Sequence, residues 1–388
     1  MISSPLKNIN VLDCSTLLPG PYCTMMLAEL GATVVKVERV PSGDPMREVI
    51  PGCYKYLNGN KKLIGLDLKK SKGHELFLEF ARRADVVVEG FRPGAVKRLG
   101  IDFDAVKEVN SSIIYCSISG YGQTGPYACL PGHDINYQGL TGLFSISGDP
   151  ESGPEFPYGF QVADISGAMF ALTSILAALL RPRDPASAIY LDVSLSESLT
   201  MWMIPRFLEY LDQNCPPKAK FMGRGPYGVF QTRDEQYLTL GIVEDHFWEN
   251  LCNALGFEDL AADESFSGWV SRNRQKDMIV PRLKDAIKEN DLDFWLKKLT
   301  KADVPVAPVK DFNNWLDDPQ LKHRNFIPTN NDGTVDRNNI TRYPTSSLVK
   351  ERNKDTEEAL LGRDTSSILQ ELGLTGENIR LLREEKVI

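Results

Sequence analysis

Histidine is scarce in this chain, and the spacing of His74, His133, His246 and His323 fits no metal site. Cysteine is not used in pairs: there are seven, an odd number, with no CxxC pair. The sequence therefore predicts neither a zinc ribbon nor a disulfide framework, and no bound metal. We expect reduced, mostly buried thiols in a cytoplasmic protein.

The chain also has no excess of positively charged residues. The chain has 44 Lys and Arg residues against 52 Asp and Glu residues, a net charge of −8. This balance argues against a nucleic-acid partner bound through a basic surface. The first residues lack the charged-then-apolar pattern of a signal peptide. The uncharged apolar run from Ile165 to Leu180 is short for a bilayer and lies in mid-chain, so we expect no membrane span.

Buried strands alternate with helices through the first half of the chain. Strands are predicted at Val11–Cys14, Thr33–Glu38, Leu63–Leu68, Asp85–Phe91, Ser112–Gly122 and Ile189–Ser194. This alternation predicts an α/β fold with a parallel, doubly wound sheet. The first turn reads Pro19-Gly20-Pro21 rather than the GxGxxG of a dinucleotide fold. Ligands of such sheets bind at the carboxyl ends of the strands.

A second unit is predicted to begin near Gly225. The segment VFQTRDEQYLTLGI has the pattern of a hairpin, which indicates a smaller α+β domain. Helices are predicted at Glu244–Leu255, Pro281–Glu289 and Asp293–Leu299. The prolines in QNCPPKAK, from Gln213 to Lys220, interrupt any helix and indicate a linker before this unit.

Asp164 lies directly in front of the apolar run from Ile165 to Leu180, which predicts a buried helix. We expect Asp164 at the helix N-cap, where it accepts backbone N–H bonds and the helix dipole favours its ionised form. Such a carboxylate either caps the helix or acts as a nucleophile or base.

Cations are concentrated in the first hundred positions: Lys36, Arg39, Arg47, Lys61, Lys62, Lys69, Arg92, Lys97 and Arg98. Most surface lysines are simply solvated. Arg39 and Arg92 are better candidates for binding phosphate, because each directly follows a predicted buried strand and arginine suits bidentate phosphate contacts.

Six blocks of the chain now point to one family. In order they read LLPGPYCTMMLAELGATVVKVERVPSGDPMR, NKKLIGLDLK, ADVVVEGFRPGAVKRLGI, ISGYGQTGPY, PGHDINYQGLTGL and QVADISGAMFALTSILAAL. Together they resemble the class III CoA-transferases (the CaiB/BaiF family), which include the alpha-methylacyl-CoA racemases. The resemblance implies a large CoA-binding domain at 1–212 plus 328–388, a linker at 213–224 and a small domain at 225–325. It also implies an interlocked dimer of ring-like subunits.

The same resemblance implies roles for individual residues. Asp164 falls at the position of the catalytic aspartate, which attacks the acyl-CoA thioester to form a mixed anhydride and then an aspartyl-CoA thioester. The residues implied in binding coenzyme A are Arg39, Leu66, Lys69, Gly90, Phe91, Arg92, Arg98, Gly120, Tyr121 and Gly122. The implied ligands are an acyl-CoA and a carboxylic acid, with no metal.

Two other functions remain open. The racemases keep His133 in GHDINY, Asp164 in VADISG and Glu244 in GIVED, and this chain keeps all three. An acid and a base on opposite faces of the alpha carbon could racemise a 2-methylacyl-CoA, with Glu244 assisting His133. The residues DISGAM after the aspartate are closer to the transferase-like members, so we favour CoA transfer. The third alternative is one subunit of a heteromeric CoA-transferase, paired with a homologous chain.

Overall fold

The structure is a computed structural model that describes residues 4–156, 159–182, 187–336, 340–341, 343–344 and 359–388. The chain divides into two compact units. The large unit consists of residues 1–144, 157–207 and 322–388, and the small unit of 145–156 and 208–321. Both ends of the chain thus belong to the large unit.

A six-stranded sheet forms the centre of the large unit, in the order β3-β2-β1-β4-β5-β6. The strands are β1 (Asn10–Cys14), β2 (Thr33–Glu38), β3 (Lys62–Gly65), β4 (Val86–Glu89), β5 (Ile114–Ser119) and β6 (Ile189–Ser194). All neighbouring pairs are parallel. The predicted doubly wound α/β fold is therefore confirmed, and its strand order reverses between β1 and β4.

Helices cover both faces of this sheet. They are α1 (Pro19–Glu29), α2 (Met46–Val49), α3 (Pro51–Asn58), α4 (Ser71–Arg83), α5 (Ala95–Leu99), α6 (Phe103–Val109), α7 (Asp134–Leu140), α8 (Val162–Leu179) and α9 (Leu195–Asp212). A short 3-10 helix, Leu143–Ile146, follows α7. Two helices near the carboxyl end, α17 (Thr365–Glu371) and α18 (Gly376–Glu384), return to the large unit. Helices α1 and α8 contribute to the core on one face, and α4, α6, α17 and α18 to the core on the other. Because both faces are covered, strands such as β4 are buried along their whole length.

Helix α8 is long and apolar enough to cross a membrane by length and composition alone. It packs against α1, β5 and β6. Its alanines Ala163, Ala168 and Ala171 are completely buried in that contact. These contacts are those of a core helix, for which small residues allow close approach to the sheet.

Three strands end earlier than predicted. β4 stops at Glu89 instead of Phe91, and the side chain of Glu89 accepts the backbone N–H of Phe91. β3 stops at Gly65 instead of Leu68. The N–H of Leu66 makes the last bond to β2, at the carbonyl of Glu38, and the chain then turns, with the N–H of Lys70 donating to the carbonyl of Asp67. β5 stops at Ser119, since the following glycines leave the extended conformation and Gly122 has a φ of +85°. All three strands therefore open into loops at the carboxyl edge of the sheet.

The small unit has an antiparallel sheet of β7 (Tyr227–Gln231), β8 (Tyr237–Gly241) and β9 (Val306–Pro308), which confirms the predicted hairpin. The helices after α9 are α10 (Lys218–Met222), α11 (Asp245–Leu255), α12 (Glu258–Ala262), α13 (Trp269–Arg274), α14 (Lys276–Ile287), α15 (Leu292–Lys301) and α16 (Pro319–His323). Short 3-10 helices form at Glu264–Phe266 and Trp315–Asp317. The start predicted at Pro281 is wrong, because α14 begins at Lys276 and carries Pro281 in its interior.

All seven cysteines are free, and Cys14, Cys23, Cys116 and Cys252 are buried. Within the described ranges, no group of three or more His, Cys, Asp or Glu side chains is placed to hold a metal ion.

Candidate active site

A cavity of about 270 Å³ lies in the large unit where the strand order reverses. Its wall comes from the segments after β1, β4 and β5 and from the starts of α7 and α8. The first two segments contribute Thr16, Leu17, Gly90, Phe91 and Arg92. Doubly wound sheets bind their ligands at such a reversal point, so this cavity is the candidate active site.

Asp164 lines the cavity from the third position of α8 and is half-buried. Its predicted position at the N-cap is wrong, because Gln161 is the N-cap residue and makes no side-chain cap. Asp134 of α7 supplies the cap instead. Its Oδ1 accepts the backbone N–H of Ala163 at 2.8 Å and that of Asp164 at 3.1 Å. Asp164 is thereby relieved of the capping role, and its carboxyl group is available to a ligand.

The environment of Asp164 disfavours its charge. Burial, with a smaller contribution from the negative charge of Asp134, raises the pKa of Asp164 to about 7. This direction is opposite to the one expected from the helix dipole, and its main cause is burial, which disfavours the charged form. A carboxyl group that ionises near neutral pH in a cavity is suited to act as a nucleophile or a base.

His133 lines the same cavity and directly precedes α7, at its N-cap position. Its backbone N–H donates to Oδ1 of Asn136 at 2.9 Å, and its side chain is exposed. The fold therefore brings His133 and Asp164 to one cavity from positions 31 residues apart in sequence.

Glu244, the third residue of the racemase pattern, belongs to the small unit. It is exposed and occupies the N-cap position of α11 in an extended conformation. Its part in catalysis stays a prediction.

Five residues implied in binding coenzyme A line the cavity: Gly90, Phe91, Arg92, Gly120 and Tyr121. The turn after β4 is held by the last residue of that strand, because Oε2 of Glu89 accepts the backbone N–H of Phe91 at 2.7 Å. Phe91 is half-buried and packs against the core, whereas Arg92 is exposed. This turn can therefore present an aromatic ring and a cation from one fixed backbone.

Three further cations follow the strands at the same edge of the sheet. Arg39 comes directly after β2, Lys69 follows β3, and Arg98 lies in the last turn of α5, which follows β4. All three side chains are exposed. Since the carboxyl ends of parallel strands share one edge, these cations stay candidates for binding the phosphates of a nucleotide.

The remaining two residues of the implied CoA set have different environments. The side chain of Leu66 is 1% exposed and belongs to the core, so only its backbone could contact a ligand. Gly122 is buried beside Asp192 and Ser194.

Two lysines of the basic cluster are not available to phosphate. Lys36 and Lys61 are buried, and each forms an ion pair with a carboxylate. Lys36 Nζ lies 3.0 Å from Asp44 Oδ2, and Lys61 Nζ lies 3.0 Å from Asp13 Oδ2. Each pair has one member within an apolar strand, Lys36 in β2 and Asp13 in β1, which indicates a buried charge that needs a partner.

The ion pairs also position the cavity wall. Oδ1 of Asp44 accepts the backbone N–H of Leu17 at 3.0 Å. Leu17 lines the cavity and has a φ of +63°, a conformation that costs energy for any residue with a side chain. The buried carboxylate therefore helps to hold a strained backbone at the site.

Two residues with direct effects on the cavity, Asp134 and Tyr137, were not predicted as functional. Both lie on α7, and Tyr137 lines the cavity. Their only sequence signal is their place in the GHDINY block, beside His133.

Comparison with known proteins agrees with this geometry. The sequence model of CoA-transferase family III matches residues 6–365 of this chain. The chain therefore belongs to CoA-transferase family III. It is 32% identical over 339 residues to a succinate–glutarate CoA-transferase of Agrobacterium fabrum, covering 82% of this chain and 84% of the relative. It is 28% identical to the human alpha-methylacyl-CoA racemase, covering 99% and 97% of the two chains.

Among solved structures, a CaiB/BaiF family protein from Brucella suis matches with a TM-score of 0.78 and 28% identity. The match covers 95% of this chain and 99% of that chain. The family inferred from the six sequence blocks is thus confirmed, and the chain is an enzyme of the family that acts on CoA thioesters.

Proposed function

We propose that this protein is a CoA-transferase that moves coenzyme A from an acyl-CoA to an acceptor carboxylate, with Asp164 as the nucleophile. The observation that carries the proposal is the half-buried Asp164 carboxyl in the cavity at the strand reversal, with a pKa of about 7. The similarity to a relative named as a succinate–glutarate CoA-transferase supports it further.

In the first step an oxygen of the Asp164 carboxylate attacks the thioester carbon. The new C–O bond forms, the C–S bond breaks, and CoA leaves as a thiolate. The product is a mixed anhydride between Asp164 and the acyl group. The thiolate then attacks the aspartyl carbonyl, which releases the first carboxylate and leaves an aspartyl-CoA thioester.

The acceptor carboxylate then passes through the same two reaction steps in reverse order. It attacks the aspartyl-CoA thioester, expels the thiolate and forms a second mixed anhydride. The thiolate attacks the acceptor's carbonyl carbon, which yields the new acyl-CoA and restores the Asp164 carboxylate. No proton is consumed, so the cycle needs the ionised form of Asp164 at its start.

The nucleotide of coenzyme A is proposed to bind along the exposed cations Arg39, Lys69, Arg92 and Arg98. Arginine pairs well with phosphate oxygens, and exposure leaves these side chains free to reach a ligand. Phe91 and Tyr121 offer apolar surface on the wall of the cavity that Asp164 lines.

The test uses two probe pairs, succinyl-CoA with glutarate and acetyl-CoA with oxalate, which are the substrates in the names of similar proteins. New thioesters are followed by mass spectrometry. We expect Asp164→Ala to lose transfer while retaining affinity for CoA. The matched control is Asp104→Ala, an exposed carboxylate in α6, which should keep wild-type turnover. Unchanged turnover in Asp164→Ala would remove the basis of the proposal.

Racemisation of a 2-methylacyl-CoA is a second candidate function, favoured by His133 and Asp164 lining one cavity. In that reaction one side chain removes the alpha proton and the other returns a proton to the opposite face. Deuterium entering the alpha position in heavy water, with no acceptor acid present, would identify this activity.

We also propose that the chain forms a dimer with itself. Support comes from Met201, Trp202 and Phe207 of α9, which are exposed by 60, 46 and 52%. Native mass spectrometry distinguishes this homodimer from a heteromer with a homologous subunit. The seven free cysteines support a cytoplasmic location.

A further inference from the structure

Tyr137 presents an uncommitted hydroxyl group in the candidate active site. The residue is 6% exposed and lines the cavity together with Asp164 and His133. Its ring packs edge-on against Tyr121, with the ring centroids 5.0 Å apart. Among the described residues its hydroxyl has no hydrogen-bond partner, and the oxygen is not sealed inside the core. A phenol held this way is available to a ligand.

Two glycines make room for this ring. A Cβ added to Gly120 would lie 2.4 Å from Oη of Tyr137, and one added to Gly132 would lie 2.8 Å from Cε1. Both distances are below van der Waals contact, so any other residue at these positions would displace the ring. The lack of a side chain at these two loop positions therefore determines where the hydroxyl of Tyr137 can lie.

The hydroxyl acts as a donor at neutral pH. Burial, together with the negative charge of Asp164, raises the pKa of Tyr137 to about 12. The proton therefore stays on the phenol throughout the range in which Asp164 ionises.

Other donors near Asp164 are already used. In the first turn of α8, the N–H groups of Ala163 and Asp164 donate to Asp134. The N–H of Val162 donates to the carbonyl of Phe160 at 3.0 Å. The start of this helix therefore does not offer these groups to a developing oxyanion.

We propose that Tyr137 donates a hydrogen bond to the thioester carbonyl oxygen while Asp164 attacks the carbonyl carbon. This inference rests on the proposed function, since it requires an acyl-CoA in the cavity. As the C–O bond to Asp164 forms, the carbonyl π pair moves onto that oxygen and gives it a negative charge. The pair returns when the C–S bond breaks and the thiolate leaves. Tyr137 keeps its proton and stabilises the charge in between.

The experiment compares Tyr137→Phe with the wild type in the full-length chain, using succinyl-CoA and glutarate. Loss of one oxyanion donor should lower kcat by about a hundredfold, while KM for succinyl-CoA and the Kd of CoA change less than about twofold. The matched control is Tyr127→Phe, which removes an exposed hydroxyl from the neighbouring loop and should stay within about twofold of wild type. The phenylalanine keeps the ring between the two glycines, so the variant should fold.

Borohydride trapping of the Asp164 adduct, after mixing with succinyl-CoA alone, gives a second measurement. Its rate should fall in Tyr137→Phe by the same factor as kcat. An unchanged trapping rate, or a raised KM with unchanged kcat, would mean that Tyr137 only lines the cavity. A wild-type enzyme that neither transfers CoA nor forms an adduct with any probe would defeat the proposed function and this inference together. A wild type that reacts, with Tyr137→Phe equally fast, defeats the inference alone.

Discussion

Oδ1 of Asp134 accepts the backbone N–H of Asp164 at 3.1 Å, so one carboxylate caps the helix that presents the other. The two residues lie 30 positions apart, on α7 and α8. This contact has two effects. It fixes the start of α8, and it places a negative charge close enough to raise the pKa of Asp164.

The two effects can be separated at Asp134. Asp134→Asn keeps an oxygen that can accept the backbone N–H groups but removes the charge, so the pKa of Asp164 should fall. The acid limb of the pH profile of kcat/KM should then move to lower pH. Asp134→Ala loses the cap as well and should cost about 1 kcal/mol of stability. An acid limb that does not move in Asp134→Asn would show that burial alone sets the pKa.

Activity of the wild type should rise through neutral pH. Because Asp164 must be ionised to attack and its pKa is raised to about 7, kcat/KM should increase tenfold per pH unit below that value and level off above it. An exposed aspartate, with a pKa of about 3.9, would give a flat profile over the same range. A plateau that extends well below neutral pH would contradict the raised pKa.

Asp164 should also make the folded protein less stable as pH rises. Its folded-state pKa lies above the unfolded value, so the folded state binds the proton more tightly and loses this advantage as pH rises from about 4 to about 7. Asp164→Asn should therefore raise Tm relative to the wild type, and more so at about pH 8 than at about pH 5. Equal shifts in Tm at the two pH values would show that the charge of Asp164 is not destabilising.

The neighbours Lys61 and Lys62 offer a matched test of the buried ion pairs. Lys61→Met leaves Asp13 buried without that partner and should destabilise the protein by about 3–5 kcal/mol. Lys62 pairs with Glu371 at the surface, and Lys62→Met should cost less than about 1 kcal/mol. Urea unfolding, with equal m-values for wild type and variants, measures the loss of unfolding free energy in each variant. Similar losses in the two variants would contradict the assignment of Lys61 to a buried ion pair and Lys62 to a surface pair.

His133→Ala should distinguish the two reactions. The alpha-proton exchange of a racemase needs a second acid or base, so the variant should lose deuterium incorporation into a 2-methylacyl-CoA. Transfer through Asp164 needs no such group and should only weaken. Complete loss of transfer in His133→Ala would give the imidazole a role beyond alpha-proton chemistry.

The alternation of apolar strands and helices was sufficient to predict the parallel sheet, because buried strands such as Val86–Glu89 are recognisable from their own composition. The ordered motif blocks, down to the aspartate in front of an apolar helix, were sufficient to identify the family. The helix itself was also predicted, although its first turn was placed three residues late.

The sequence by itself therefore determined the fold class, the family and the residues worth testing. Only the tertiary structure decided which charged side chains pair with each other and which carboxylate caps the helix. It paired Lys36 with Asp44 and Lys61 with Asp13, and it placed Asp134 as the cap of the helix that carries Asp164. The physical reason is that propensity and hydrophobic pattern are local, whereas desolvation and Coulomb interactions depend on which distant side chains the fold brings together.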